Sequence, residues 1–200
     1  RLVRIRADAM QSAVPVGQGG MAAILGLTDD QVRAACAAAA QGEVVEPVNF
    51  NAPAQVVIAG NKAAVERACE AAKQAGAKRA LPLSVSAPFH SSLMQPAAQT
   101  LAKALEAIDI QSPHIPVLNN VDVAAPTEPA AIADALVRQA WHPVRWVETI
   151  QLMQSQGITH VVECGPGKVL TGLAKRIAPG LTALAVTDQA SLQSALEAVR

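Results

Sequence analysis

The sequence has few aromatic residues and little charge. Its 200 residues include two Trp, two Phe and no Tyr, and only 16% of them are charged. The 16 basic side chains balance the 16 acidic ones, so the formal net charge is zero. Proteins that grip nucleic acids or anionic membranes by charge carry an excess of Lys and Arg. We therefore expect neither nucleic acid nor a membrane among the partners of this chain.

Cysteine is also scarce, and long apolar runs are missing. The three cysteines (Cys36, Cys69 and Cys164) are an odd number without a CxxC pair. This pattern disfavours a disulfide framework and a zinc site, and it is typical of a reducing compartment, so we expect a cytoplasmic protein. The four histidines show neither HxH nor HxxxH spacing, which disfavours a metal site. No segment approaches the roughly 18 apolar residues that a membrane span needs.

The abundant residues are small aliphatic ones. Ala alone accounts for 42 positions, and 51% of the chain is hydrophobic. We expect a core of small and branched aliphatic side chains, with helices favoured by Ala. Residues 1–12 have helical spacing but no capping residue before them, so the chain is interpreted as a fragment of a longer protein.

Residues 19–85 predict a β-α-β-β-α-β unit. Apolar runs mark the strands, and Thr28 with Gln31 three residues later forms a capping-box signal. The predicted strands are 20–26, 44–51, 55–59 and 78–85, and the predicted helices are 28–40 and 62–74. This order is the ferredoxin-like arrangement, small enough to be inserted in a larger fold.

The remaining residues predict a second architecture. Strands alternate with helices, which indicates a parallel sheet covered on both faces. The predicted helices are 91–108, 129–139, 144–156, 169–177 and 191–199, and the predicted strands are 115–119, 159–163 and 182–186. The predicted fold is therefore α/β, with an incomplete hydrolase-like parallel-sheet domain over 1–18 and 86–200 and an inserted ferredoxin-like subdomain over 19–85.

Two residues are candidates for chemistry from their position alone. His90 follows a predicted strand and precedes a helix, where α/β folds place their active sites, and an imidazole there could act as a general base. The alternative is a histidine near a helix N-cap. Arg6 lies in the first helix and could pair with a substrate carboxylate, although most helix arginines are solvated. The run Gly165–Lys168 lacks the spacing of a phosphate-binding loop and is interpreted as a strand-to-helix turn.

Several segments together resemble the malonyl-CoA:acyl carrier protein transacylase family, in the order that the family has. The resemblance covers essentially the whole chain. The segments are VRIRADAMQSAVPVGQGGMAAILGL, VNFNAPAQVVIAG, GAKRALPLSVSAPFHSSLM, PVLNNVD, ALVRQAWHPVRW and ECGPGKVLTGLAKRI. It implies a hydrolase-like domain interrupted by a ferredoxin-like subdomain, in agreement with the element order above.

The resemblance also implies roles for individual residues. Arg6 would bind the free carboxylate of a malonyl group, and His90 would be the general base of a Ser–His dyad. The backbone carbonyl of Gln139 would orient that histidine. Phe89 is similar to the bulky residue associated with a preference for malonyl over methylmalonyl groups. Three further polar residues would line the cleft between the subdomains: Asn49, Asn51 and Gln55.

The nucleophile of the family is missing from these residues. No serine here stands in a G-x-S-x-G elbow,. The family's serine and its oxyanion-forming glutamine are expected before Arg1, so this fragment alone is expected to be inactive. The implied partners are malonyl-CoA, as substrate, and acyl carrier protein. No cofactor is implied, and a monomer is expected.

Two alternatives remain open at this stage. The chain could come from an acyltransferase domain of a polyketide synthase, with the same fold and another extender unit. It could also be a non-catalytic ferredoxin-like module that binds a small ligand within residues 19–85.

Overall fold

A computed structural model describes residues 1–199. These residues form two compact units, 1–145 and 146–199, and each is described by itself. The elements of the first unit are α1 (Leu2–Ser12), β1 (Gly19–Leu25), α2 (Asp29–Ala40), β2 (Val45–Ala52), β3 (Gln55–Asn61), α3 (Lys62–Gln74), β4 (Arg79–Pro82), α4 (Gln95–Leu105) and α5 (Pro129–Arg138). Those of the second are α6 (Trp146–Ser155), β5 (His160–Cys164), α7 (Val169–Ile177), β6 (Thr182–Val186) and α8 (Gln189–Ala198).

The four strands β1 to β4 form one antiparallel sheet in the order β2-β3-β1-β4. This is the ferredoxin-like strand order, and the predicted fold class is confirmed. The boundaries predicted for the two domains stay a prediction. The predicted capping box at the start of α2 is confirmed as well, since the Thr28 hydroxyl accepts from the N–H of Gln31 and the Gln31 amide oxygen accepts from the N–H of Thr28.

The face of this sheet that meets α2 and α3 is built from small side chains. Alanines make up much of the buried cluster between the helices and the strands, and they let the two helices approach closely,. Phe50 is the large aromatic residue in this cluster, and the Arg33 guanidinium lies 4.7 Å from its ring centre,. The high alanine content therefore serves close helix packing.

The rest of the first unit meets the sheet through its strand β2. The backbone N–H of Phe50 donates to the carbonyl of Val144 (3.0 Å), and the N–H of Val144 donates to the carbonyl of Val48 (2.8 Å). The segment after α5 thus runs alongside β2 as a short parallel bridge. A second cluster, with Met10 of α1, Met94 just before α4 and Ala97 of α4, packs against Phe89 and Trp141.

The second unit contains a two-stranded parallel sheet. Strands β5 and β6 pair from His160 with Thr182 to Cys164 with Val186. The connection between them contains α7, as parallel pairing requires a crossover. The buried residues of this unit include Ile150, Leu181 and Ala183.

The predicted strand 115–119 is wrong. Residues 111–118 are irregular, and only Asn119 forms an isolated bridge, with Ala124. Ile115 and Val117 are 76% and 61% exposed. Pro113 and Pro116 remove two backbone donors, so the segment cannot complete a ladder.

Other predicted elements differ at their ends. Strand β4 stops at Pro82 rather than at Val85. The helix predicted over 91–108 begins as a 3₁₀ turn at Ser92–Met94, becomes α-helical at Gln95 and ends at Leu105. Helix α6 begins at Trp146 rather than at Val144, because Val144 is paired with β2.

Gly60 provides a stability test of the sheet. A Cβ there would lie 2.6 Å from the carbonyl carbon of Val44 and 2.7 Å from Cα of Val45, while a Cβ on its cross-strand partner Gly20 would have only ordinary contacts. Gly60→Ala should therefore lower the free energy of unfolding by at least about 2 kcal/mol. Gly20→Ala, the matched control, should change it by less than about 1 kcal/mol. Denaturant unfolding measures both, and equal stabilities of the two variants would contradict the packing described here.

Candidate functional site

His90 lies in a constrained turn between β4 and α4. Its φ is +65°, in the left-handed region that non-glycine residues seldom adopt,. The turn is closed by the neighbouring Ser91, which is fully buried and whose hydroxyl donates to the carbonyl of Pro88 at 2.7 Å. The carbonyl of Ser91 accepts in turn from the N–H of Met94. Such an enforced conformation points to a site where side-chain direction matters.

Glu46 of β2 holds this turn from the sheet. One of its carboxylate oxygens accepts from the N–H of Ser92 (2.8 Å) and the other accepts from the Ser92 hydroxyl (2.9 Å). A carboxylate at this place also meets the positive end of the helical segment that follows. Strand β2 therefore fixes the position of the turn that carries His90.

The imidazole of His90 contacts the end of α5. Its Nδ1 lies 2.9 Å from the backbone carbonyl oxygen of Gln139. Because a carbonyl oxygen can only accept, Nδ1 carries the proton and donates it to this bond. The other ring nitrogen, Nε2, then has its lone pair available, as a general base requires.

The Gln139 carbonyl is available because of the way α5 ends. The residue four positions further on is Pro143, which has no N–H to donate,. The N–H groups of Trp141 and His142 both donate to the carbonyl of Arg138 instead, at 3.2 and 3.0 Å. Carbonyls in the last turn of a helix need partners from outside the helix, and the imidazole of His90 is the partner here.

Arg6 lies on α1 and is partly buried. Burial lowers the pKa of its guanidinium. Among residues 1–199 the structure gives the Arg6 side chain neither an ion pair nor a hydrogen bond. A partly desolvated guanidinium without a protein partner is suited to an anionic ligand, and above all to a carboxylate that can accept two parallel hydrogen bonds.

The electrostatics of His90 connect it with Arg6. Burial is the main cause that lowers the pKa of His90 below the ordinary 6.5, and the positive charge of Arg6 lowers it further. Backbone hydrogen bonding to Gln139, and a smaller effect of the His142 backbone, act in the opposite direction. The two residues are thus close enough to interact, and the net effect keeps the imidazole neutral at pH 7.

Of the other residues of the predicted site, Phe89 precedes His90 in the turn, and the three polar residues lie on strands β2 and β3. Phe89 packs against an apolar cluster on the face away from α2 and α3. Asn49 pairs with Val57 of that cluster, so its side chain is on the same face. Asn51 and Gln55 lie further along this hairpin and are partly buried.

Two cysteines and the run Gly165–Lys168 lie in environments that indicate a structural role. Cys36 and Cys69 are buried, and burial raises the pKa of both thiols, that of Cys36 to about 12. At the start of α7 the Glu163 carboxylate accepts from the N–H and the hydroxyl of Thr171, both at 2.7 Å. The protein's own carboxylate therefore occupies the helix end that a phosphate would need, and the interpretation of residues 165–168 as a turn is supported.

Two features of this site were not found from the sequence. Glu46 gives no local signal, because its partner Ser92 is 46 residues away. The role of Pro143 could have been read from its spacing, since a proline four residues after a helix end leaves one carbonyl without its usual donor.

No group of three or more His, Cys, Asp or Glu side chains in residues 1–199 is arranged to hold a metal ion. None of the helices in this range combines the length and the apolar character that a bilayer crossing demands.

Known proteins resemble this chain closely. A malonyl CoA-acyl carrier protein transacylase of Salmonella typhimurium is 57% identical over 196 residues, which cover 98% of this chain and 63% of the relative. The crystal structure of an acyl-carrier-protein S-malonyltransferase from Burkholderia pseudomallei 1710b is 65% identical, with a TM-score of 0.96, and covers 98% of this chain and 64% of that one. A malonyl-transacylase solved in complex with a type II PKS acyl-carrier protein is 56% identical, with a TM-score of 0.97, over 99% of this chain and 64% of that one.

This chain therefore spans slightly less than two thirds of the length of these relatives. The family match itself extends over residues 1–194, nearly all of the chain, and its description is the acyl transferase domain. The chain belongs to the acyl transferase domain family.

Proposed function

We propose that this chain is part of an enzyme that transfers a malonyl group from malonyl-CoA to the pantetheine thiol of an acyl carrier protein. The observation that carries the proposal is the contact of His90 Nδ1 with the Gln139 carbonyl at 2.9 Å, together with a partly buried, unpaired Arg6 that lowers the pKa of the same imidazole. The names of the relatives support the substrate and the carrier.

The reaction would proceed through a covalent serine ester. Nε2 of His90 takes the proton of the serine hydroxyl while its oxygen attacks the malonyl thioester carbon. The carbon–sulfur bond breaks, and the imidazolium returns the proton to the coenzyme A thiolate. In the second half, His90 takes the proton of the pantetheine thiol, the sulfur attacks the ester, and the serine oxygen leaves with that proton. The acyl group needs no cofactor for this exchange.

A backbone carbonyl suffices to orient the base in this chemistry. A thiolate is a far better leaving group than an amide nitrogen, so less stabilisation of the imidazolium is required than in a protease with its aspartate. The carbonyl of Gln139 fixes the tautomer of His90 without a full negative charge, and the pKa of the imidazole stays below that of an ordinary histidine.

Arg6 would select the acyl group. Its guanidinium forms two parallel hydrogen bonds with the free malonyl carboxylate, and an acetyl group would leave it unpaired. Phe89 would restrict the space beside the acyl chain and disfavour a methylmalonyl group. The cleft would be lined by Asn49, Asn51 and Gln55.

The favoured pathway is fatty-acid synthesis in the cytoplasm. Transfer to a polyketide carrier is the second candidate, because one relative is solved with a type II PKS acyl-carrier protein. A ligand-binding module confined to residues 19–85 is not favoured, since Arg6 and His90 lie outside that range. Purified fatty-acid and polyketide carriers, assayed side by side, discriminate the first two by kcat/KM.

The full-length enzyme for these assays is this chain joined to a segment that carries the nucleophilic serine. That segment is either the protein's own or the corresponding part of the Salmonella relative. Malonyl transfer from radiolabelled malonyl-CoA to acyl carrier protein is the test of the proposed function. No transfer by a folded full-length enzyme, while the Salmonella relative is active in the same assay, would contradict it.

The role of His90 as the general base can be tested by substitution. His90→Ala should slow acylation of the serine by about 10²- to 10⁴-fold, the usual range for a general base. In the unchanged enzyme the acid limb of kcat/KM should have its midpoint below pH 6.5, because burial and Arg6 lower the pKa of His90 and the imidazole must be neutral to accept a proton. His114→Ala, in an exposed loop, is the control. An acylation rate unaffected by His90→Ala would exclude His90 as the base.

A further prediction concerns the malonyl carboxylate that Arg6 would bind. Arg6→Ala should reduce kcat/KM for malonyl-CoA by about 10²-fold or more, since two charge-assisted hydrogen bonds worth roughly 3 kcal/mol together are lost. The kcat/KM for acetyl-CoA should fall much less. The same variant should move the acid limb of the pH profile to higher pH, because the charge that lowers the pKa of His90 is gone. Arg4→Ala removes a charge from the exposed side of α1 and is the control. Equal losses for both substrates would contradict the assignment.

Another prediction separates the side chain of Gln139 from its backbone carbonyl. The hydrogen bond to His90 is made with its backbone carbonyl, so Gln139→Ala should keep kcat within about threefold of the unchanged enzyme. Gln139→Pro would also remove the N–H that closes the last turn of α5 on Ala135, and should reduce kcat strongly,. Steady-state kinetics of the two variants compare side chain with backbone. A large loss in Gln139→Ala would show that the side chain takes part.

A further inference from the structure

The carbonyl that orients His90 lies next to an ion-pair network that the proposed reaction does not use. Arg138, the residue before Gln139, donates from Nη1 and Nη2 to the two carboxylate oxygens of Asp122 at 2.6 and 2.8 Å. Its Nε donates to Asp134, one turn earlier in α5, at 2.6 Å. The side chains of Arg138 and Asp122 are only 32% and 36% exposed. Most surface ion pairs contribute little, but a bidentate pair within a network is the exception.

Asp122 belongs to a loop that is rigid in its own right. This loop, residues 119–124, is closed by the bond from the N–H of Asn119 to the carbonyl of Ala124 (2.9 Å) and by the bond from the N–H of Asp122 to Oδ1 of Asn119 (2.7 Å). Val123 has a φ of +57°, so the loop holds a left-handed residue. A loop with this many internal constraints is a firm anchor for a side chain outside it.

The same loop holds the far end of the segment that contains Gln139. The backbone N–H of Arg145 donates to the carbonyl of Asn120 at 3.0 Å. Segment 138–145 is therefore attached to the loop at both ends, by the side chain of Arg138 and by the backbone of Arg145. Between these ends the Gln139 carbonyl faces His90, and Val144 is bonded to β2.

We propose that the Asp122–Arg138 pair is a positioning device for His90: it fixes the end of α5, and so the direction of the Gln139 carbonyl that keeps the proton on Nδ1. This inference rests on the proposed function, in which His90 is the base. Neither residue touches the imidazole, so both act through Gln139.

Three substitutions separate this role from a general loss of charge. Asp122→Asn breaks the bidentate link between loop and helix, because an amide offers one acceptor oxygen where the carboxylate offers two,. Asp134→Asn removes a carboxylate from the same guanidinium but leaves that link intact. Arg138→Lys keeps the positive charge but cannot donate two parallel hydrogen bonds. The proposal expects Asp122→Asn and Arg138→Lys to behave alike, and Asp134→Asn to behave like the unchanged enzyme.

Nitrogen NMR of the imidazole is the direct measurement. In full-length enzyme labelled with ¹⁵N, the signals of His90 are identified by their loss in His90→Ala. The unchanged enzyme should show a protonated Nδ1 and a free Nε2. In Asp122→Asn part of the population should carry the proton on Nε2, and the midpoint of the His90 titration should fall, because the bond to the carbonyl favours the charged imidazole,. Asp134→Asn should show neither change.

Kinetics complete the test. Asp122→Asn should reduce kcat by about 10- to 100-fold with little change in KM for malonyl-CoA, as expected when a reacting group is misdirected. A folded Asp122→Asn whose His90 signals match those of the unchanged enzyme would overturn the inference, even if kcat fell, and would leave the proposed function intact. An altered tautomer with full transfer activity would instead show that the reaction does not need the proton on Nδ1, and the role of His90 as the base, with its positioning by Asp122 and Arg138, would fail while malonyl transfer itself stood.

Discussion

The site depends on one hydrogen bond, from Nδ1 of His90 to the backbone carbonyl of Gln139. A carbonyl oxygen has a partial negative charge and no proton of its own, so it sets the tautomer of the imidazole without holding a counter-ion against it. A carboxylate in the same place would favour the imidazolium more strongly and raise its pKa. With a carbonyl in this place, burial and the charge of Arg6 outweigh the hydrogen bond and lower the pKa of His90. The imidazole therefore remains a neutral acceptor at pH 7.

The ferredoxin-like part could be predicted from the sequence because its signals are local. The capping box at Thr28 and the apolar runs of the strands each act within a few residues. The parallel pair in the second unit follows from similar cues. In the site, His90 could be singled out from its place after a strand, and Arg6 as a helix arginine able to pair with a carboxylate. The malonyl group as the ligand of Arg6 and the role of Gln139 came only from the family resemblance.

The parts that could not be predicted depend on contacts between distant residues. The run Ile115–Asn119 has the composition of a strand, but Pro116 within it and Pro113 before it leave it without a complete ladder. The residues that follow bend into the loop that holds Arg138. The residues around Glu46 in the sequence give no sign of its function. That function is visible only in the structure, where Ser92 lies beside it. The left-handed backbone of His90 likewise follows from its tertiary surroundings, since no glycine marks the position.

Strand β2 explains how residues 49 positions apart in sequence meet. Near its start, Glu46 binds Ser92 and so fixes the turn that presents His90. Further along, Val48 and Phe50 pair with Val144 and fix the segment that presents the Gln139 carbonyl. Because both attachments are made by one strand of a hydrogen-bonded sheet, the distance between base and carbonyl is set by the register of β2. The ferredoxin-like sheet is thus part of the frame of the site, and a shift of β2 by one residue would separate the imidazole from the group that orients it.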